Sequence, residues 1–245
     1  MLNQLPPPKR EHGFLFTIMV ALICAGIVRS FFCEPFHIPS SSMKPGLLIG
    51  DYIFVSKYSY GYSRYSFPFG LKIFEGRIWR SQPKRGDVIV FRLPSNTKIN
   101  YVKRLIGLPG DKIQMHNGIL YINDQEVVKV ENGMFVDEVL GEKVDIKKFF
   151  ETFPEGKKIE TLDENPNTPQ DNTGIYEVPI GHYFMMGDNR DNSEDSRFIN
   201  ELGFVPEENF VGPARIIFFS TSSPIWQFWH WPNSIRFKRI FQKIE

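Results

Sequence analysis

Residues 13–36 read GFLFTIMVALICAGIVRSFFCEPF, and Phe14 to Val28 carry no charge and almost no polarity. Few environments accept such a run. Counted through Cys33 it is about 20 residues, enough for a helix to cross roughly 30 Å of hydrocarbon. Arg29, near its end, has a stem long enough to reach the headgroups. A cleaved export signal is the competing reading, because Lys9 and Arg10 make a suitable basic start. Against it, no small-x-small site follows the apolar core, and Phe31 and Phe32 before Cys33 do not suit a lipoprotein signal. The run therefore reads as an uncleaved transmembrane helix over 13–33, preceded by a segment 1–12 on the opposite side of the membrane. Lys9 and Arg10 are nearly balanced by Arg29 and Lys44, so the charge count leaves the orientation open. Cys24 and Cys33 are the only cysteines, so no disulfide can staple the rest of the chain.

Past the anchor, short apolar runs alternate with turn signals. DYIFVS, DVIVFRLP and NYVKRLIG have strand length, and Pro109-Gly110 ends the third. NGILYINDQEVV carries hairpin turns at Asn117-Gly118 and Asn123-Asp124. From 129 to 175 the chain becomes charged and reads as a looser inserted subregion. Strand character returns at YEVPIGHYFMMGDN and FVGPARIIFFS. With 19 Gly, 18 Pro and 15% aromatics, the expectation is a mostly β, antiparallel domain. It would comprise residues 34–128 and 176–222, interrupted by the insertion and followed by a Trp-rich, basic tail over 223–245. A net charge of +1 offers no footprint for nucleic acid.

Candidate chemistry emerges by elimination. His12, His37, His116, His182 and His230 are scattered, without the spacing of zinc ligands. Neither a GxSxG elbow nor a GxxxxGK[ST] phosphate loop is present. GDNRDNSEDSR, residues 187–197, resembles a calcium loop only superficially. Arg190 stands where the third ligand belongs, with no glycine sixth and no glutamate twelfth, so no metal is expected. Alternating charges there suggest a self-paired turn. Two features remain. In IPSSSMKP three serines are fenced by Pro39 and Pro45, which stiffen a chain rather than loosen it. In YVKRLIG, Lys103 and Arg104 must leave a strand on opposite faces, so one of them is half-buried. A desolvated lysine can act as a general base, but it can equally pair with a carboxylate. Periodicity does not bring Lys103 to a serine 61 positions earlier.

The ordered blocks IPSSSMKPGLLIGDYIFVSK, KRGDVIVFRLP, YVKRLIGLPGDKI and MGDNRDNSEDSR closely resemble those of the bacterial type I signal peptidases. They cover most of the chain apart from residues 58–80, the insertion and the tail. That resemblance implies a membrane-anchored, mostly antiparallel β serine endopeptidase with no cofactor. Its partners would be preproteins bearing signal peptides and the phospholipid membrane. It would be single-pass in the bacterial cytoplasmic membrane, N-terminus in the cytoplasm and catalytic domain on the periplasmic face. By resemblance Ser42 is the nucleophile and Lys103 the general base, a Ser-Lys dyad. Ser40 supports the oxyanion hole with the Ser42 N–H, and Ser193, Asp195 and Arg197 orient the lysine. Ser41, pointing away, is expendable. Cleavage follows a small-x-small motif read by shallow pockets of Phe36, Ile38, Met43, Leu47, Tyr101 and Val102. Gly46 stands where a threonine is common, only one span precedes the serine, and an extracytoplasmic cysteine pair of some relatives is missing. A cytoplasmic self-cleaving repressor fits poorly with the anchor, and a non-catalytic binding protein fits poorly with the intact serine and lysine. Trp226, Trp229 and Trp231, followed by Lys and Arg, suit either a membrane interface or a segment docked on the core.

Overall fold

The computed structural model describes residues 13–67, 75–139, 142–165, 167–224 and 226–245. The predicted cytoplasmic segment 1–12, with Lys9 and Arg10, lies outside them. Helix α1 (Phe14–Phe31) exposes apolar side chains on every face and buries only Ser30. An 18-residue helix with mean hydropathy 2.2 and 6% burial has the length and composition of a membrane anchor. It is two residues shorter than predicted at its end, because Cys33 already begins a strand. Its end is tied to the domain. Arg29 Nη2 pairs with Glu34 at 2.7 Å, Glu34 pairs with Lys57 at 2.6 Å, and Tyr62 Oη donates to Phe31 O at 2.8 Å.

The domain is antiparallel β throughout. In chain order the strands are β1 (Cys33–His37), β2 (Asp51–Ser56), β3 (Val88–Arg92), β4 (Asn100–Gly107), β5 (Lys112–His116), β6 (Ile119–Ile122) and β7 (Gln125–Glu126). They continue with β8 (Val128–Val139), β9 (Glu142–Thr152), β10 (Lys158–Leu162), β11 (Tyr176–Glu177), β12 (His182–Met186), β13 (Val205–Pro206) and β14 (Phe210–Ser220). The main sheet runs β1-β2-β14-β3-β4-β12-β13, and two smaller sheets run β11-β5-β6-β7 and β10-β9-β8. The predicted hairpins form where Asn117, Gly118, Asn123 and Asp124 all take positive φ.

Strand β3 explains why its sequence lacks alternation. Val88 and Val90 pack with Ile38, Met43, Leu47 and Ile53, while Ile89 and Phe91 pack with Leu105, Tyr183 and Phe210. Both faces are covered, so both must be apolar. Long strand β14 can bridge β2 and β3 because Gly212 lies against Ser56 O, where a Cβ would come within 2.1 Å.

Two expectations change. The insertion is a regular three-stranded sheet rather than a looser region, because its charges alternate with Val and Phe along β8 and β9. It also reaches back to the domain, since Lys44 Nζ meets both Asp137 carboxylate oxygens at 2.6 Å. The tail docks on the core through its basic residues: Arg239 Nη2 reaches Asp51 at 2.6 Å, and Thr221 bridges Ile235. Trp226 and Trp229 nevertheless face outward, at 64% and 57% exposure.

Candidate active site

The serine stretch is a turn clamped at both ends. Ile38 N donates to Asp51 O, and Leu47 N donates to Met43 O. Met43 and Leu47 are buried, so the chain between them cannot swing. The Lys44–Pro45 peptide is cis. Ser40 Oγ and Ser42 Oγ stand 3.3 Å apart, facing the same space as predicted; Ser42 is buried and Ser40 exposed. The 187–197 loop holds this turn from the other side. Asn189 N donates to Ser42 O at 3.0 Å, and Asn189 Nδ2 to Ser41 O at 3.3 Å. Ser41 is therefore not idle, because its Oγ also accepts Asn192 Nδ2 at 2.8 Å.

Register brings Lys103 to the same place. Met186 pairs with Arg104 and Met185 with Leu105, so one further step sets Gly187 opposite Lys103. A Cβ on Gly187 would fall 2.2 Å from Ser193 Oγ and 2.6 Å from Ser42 O. Lysine, polar loop and serine turn thus converge on a residue with no side chain. Lys103 is 4% exposed, and its Nζ makes no hydrogen bond or ion pair with any described residue. Burial pulls it down from 10.5 to about 8; Asp195 opposes the shift and Arg197 adds to it. Asp195 itself is fully buried. Burial pushes its carboxyl up, but the guanidinium of Arg197, then Lys103 and the Gly187 N–H, bring it below its usual range. Asp195 accepts Arg197 Nε at 2.9 Å and Gly187 N at 3.0 Å. Ser193 Oγ is buried and has no hydrogen-bond partner.

Both basic residues of β4 are buried, where the alternation argument expected only one. Arg104 can be buried because Asp188 meets it in a two-pronged pair at 2.7 Å, and Gly86 O accepts a third bond. The 187–197 loop is accordingly not self-paired. Among the described residues Asp195–Arg197 is the one ion pair that closes within it, whereas Asp188 goes to Arg104, Arg190 to Glu151 and Glu194 to Tyr101. Side chains of a tight turn diverge, so most of its charges meet other elements.

Among the predicted pocket residues, Ile38, Met43 and Leu47 are buried in one cluster, with Phe36 and Val102 half-buried against it. Tyr101 belongs to the opposite face of β4 and packs with Phe91. A cavity of about 510 Å³, lined by Met43, Leu47, Arg104, Asp188 and Glu245 among others, opens behind the serine turn and contains neither Ser42 nor Lys103.

The profile of the family described as signal peptidase, peptidase S26, matches residues 12–219. The chain belongs to that family. A signal peptidase I from Rickettsia typhi is 42% identical over 256 residues, covering 96% of this chain and 94% of that protein. One from Rickettsia prowazekii is 41% identical over 263 residues, covering 99% and 96%. Among solved structures, a signal peptidase I from Enterococcus faecalis V583 is 27% identical, covering 54% of this chain and 97% of that one, with a TM-score of 0.32. As a member of the signal peptidase family the chain is a serine-type peptidase that removes signal peptides. Reading residues alone missed Gly187, Asn189 and Asn192 as clamps on the serine turn. GDNRDN marked them as polar turn residues, but nothing in it named what they would touch.

Proposed function

We propose that the chain cuts signal peptides from exported preproteins after a small-x-small motif, using Ser42 as nucleophile and Lys103 as general base. The observation that carries this reading is Lys103, buried without an ion partner and drawn down to about 8 at the loop that grips Ser42. At pH 7 about one such lysine in ten is neutral, against about one in 2,500 for a free lysine. Ser42 Oγ attacks the scissile carbonyl and Lys103 Nζ takes its proton. The Ser42 N–H and Ser40 O–H stabilise the oxyanion. Lys103 then protonates the leaving amine, and water repeats the sequence on the acyl-enzyme. Among the described residues neither Ser193 Oγ nor Lys103 Nζ has a hydrogen-bond partner, which supports a bond between them that orients the lysine as substrate arrives.

Free strand edges support binding of an extended peptide. Strand β1 ends the main sheet, and β12 pairs with β4 at Arg104, Leu105 and Gly107, leaving Asn100 to Val102 without a paired strand on that side among the described residues. Half-buried Phe36 and Val102 border this opening, with Ile38, Met43 and Leu47 as floor and Tyr101 beside the lysine. Cleavage after a small-x-small motif requires that these walls leave room for alanine-sized side chains only. The five residues of β1, about 17 Å, separate the helix end from the serine turn, so cleavage would occur where a substrate's apolar segment leaves the membrane. Purified chain should process a preprotein that Ser42→Ala leaves intact; processing by Ser42→Ala would refute the assignment.

Ser40→Ala should lower kcat by about 10²- to 10³-fold with KM little changed, the usual loss for one oxyanion donor. Ser41→Ala forfeits only the contact with Asn192, an exposed bond, and should keep near-normal kcat. Equal sensitivity at both positions would mean that the turn presents its serines differently. For topology we place the N-terminus in the cytoplasm and residues beyond about Glu34 in the periplasm. Protease added to cells with a permeabilised outer envelope should digest the β domain; a protected domain with a clipped N-terminus would reverse the orientation.

A further inference from the structure

Three aspartates outside the catalytic group face one another where the insertion meets the 187–197 loop. Asp191 belongs to that loop, and Asp163 and Asp171 follow β10. One carboxylate oxygen of each lies within 4.8 Å of the other two. Each carboxylate has its Oδ2 hydrogen-bonded. Asp191 Oδ2 accepts the backbone N–H groups of Glu164 and Asn165, both at 2.7 Å. Asp171 Oδ2 accepts Thr168 N at 2.7 Å and Thr168 Oγ1 at 3.0 Å. Asp163 Oδ2 accepts Lys129 Nζ, which also donates to Gly118 O at 2.9 Å.

Two oxygens are left over. Asp163 Oδ1 and Asp191 Oδ1 are buried and have no hydrogen-bond partner among the described residues, and Asp163 as a residue is only 7% exposed. A buried carboxylate oxygen facing no donor is costly, and native folds retain few of them. Lys129 brings one positive charge to the group. Arg197 lies within its field but spends its hydrogen bonds on Asp195 and Arg190 O, so negative charge remains in excess.

We propose that Asp163, Asp171 and Asp191 bind a hard divalent cation, calcium by ligand type, that ties the insertion to the catalytic loop. Oxygens 2.3–2.6 Å from one calcium ion lie at most about 5 Å apart, so this group can close on a single ion. Carboxylates without histidine or cysteine favour such a cation over zinc. The role is positional. Asp191 is flanked by Arg190, which pairs with Glu151 of the insertion, and by Asn192, which holds Ser41. The 187–197 run lacks calcium-loop spacing because the ligands come from two separate segments.

The test uses the full chain in detergent, stripped with chelator. Calcium chloride at about 10 mM should raise Tm by about 3–10 °C beyond sodium chloride of equal ionic strength. Calorimetric titration with calcium should show one ion per chain. Asp171→Asn and Asp191→Asn should each abolish both responses, and Glu177→Gln, outside the group, should keep them. No heat of binding, an equal effect of sodium chloride, or calcium responses surviving in both Asn variants would overturn the site. Should the variants fail to fold, the titration of the unaltered protein decides alone.

Discussion

Lys103→Met and Lys103→Arg should each leave no measurable preprotein cleavage at pH 7. Methionine fills the space of the lysine stem but offers no lone pair for the Ser42 proton. Arginine cannot give up its own proton in a protein. The unaltered enzyme should lose kcat/KM about tenfold per pH unit on the acid side, with a midpoint near 8, where burial has brought the lysine. The same shift also predicts a dependence of stability on pH. A lysine at about 8 when folded and 10.5 when unfolded binds more protons unfolded between those values, so folding stability rises with pH across that window. Below pH 8 the buried ammonium costs about 3 kcal/mol, and Lys103→Met removes that cost. The dead variant should therefore melt higher at pH 7, with the gap closing towards pH 10.5. Arg104→Met should differ on both counts. It strands Asp188 in a buried site, lowering Tm, while the acid limb stays near pH 8 because the side chain leaves on the other face. Turnover by Lys103→Arg, or an acid limb that ignores the surroundings of Lys103, would end the dyad assignment.

Gly187→Ala should lower kcat by at least about 10²-fold although it adds a single methyl group. The new Cβ would need the space of Ser193 Oγ, 2.2 Å away, and of Ser42 O, 2.6 Å away. One is a side chain confined beside Asp195, and the other is backbone of the serine turn itself. Relief requires moving that turn by several tenths of an ångström or more. Displacement of about 1 Å can cost two orders of magnitude in an oriented reaction. Overpacking of this kind costs about 1–3 kcal/mol, so Tm should fall by several degrees. The acid limb should hold its midpoint, since Lys103 stays buried. Activity within about threefold of the unaltered enzyme would show that the turn yields freely and that Gly187 does not gauge the nucleophile.

Local rules made much of this chain legible. The apolar run at Phe14 defines a helix because every residue in it prefers hydrocarbon, and no partner is needed to know that. Asn117-Gly118 and Asn123-Asp124 turn the chain because these residues tolerate positive φ. DVIVFR is a strand by composition alone. Ordered blocks shared with a family named Ser42 and Lys103 as its reactive residues, although periodicity by itself left the lysine's role open.

What remained depended on which surfaces meet. Alternation could send Lys103 and Arg104 to opposite faces, but only the curled sheet buries both, one against Asp188 and the other without a hydrogen bond or ion pair among the described residues. The charges of 187–197 were visible, yet most pair with β4, β9 or the insertion. Asp191 meets Asp163 and Asp171 only because β10 bridges to Asn189. Helix, strand and turn preferences are energies between neighbours in the chain, so the sequence alone determined the anchor, the hairpins and the β class. Burial of a charge, the grip of Asn189 on Ser42 and the grouping of three aspartates are energies between segments tens of residues apart. Tertiary packing alone decided them, because register and curl choose which distant groups share the interior.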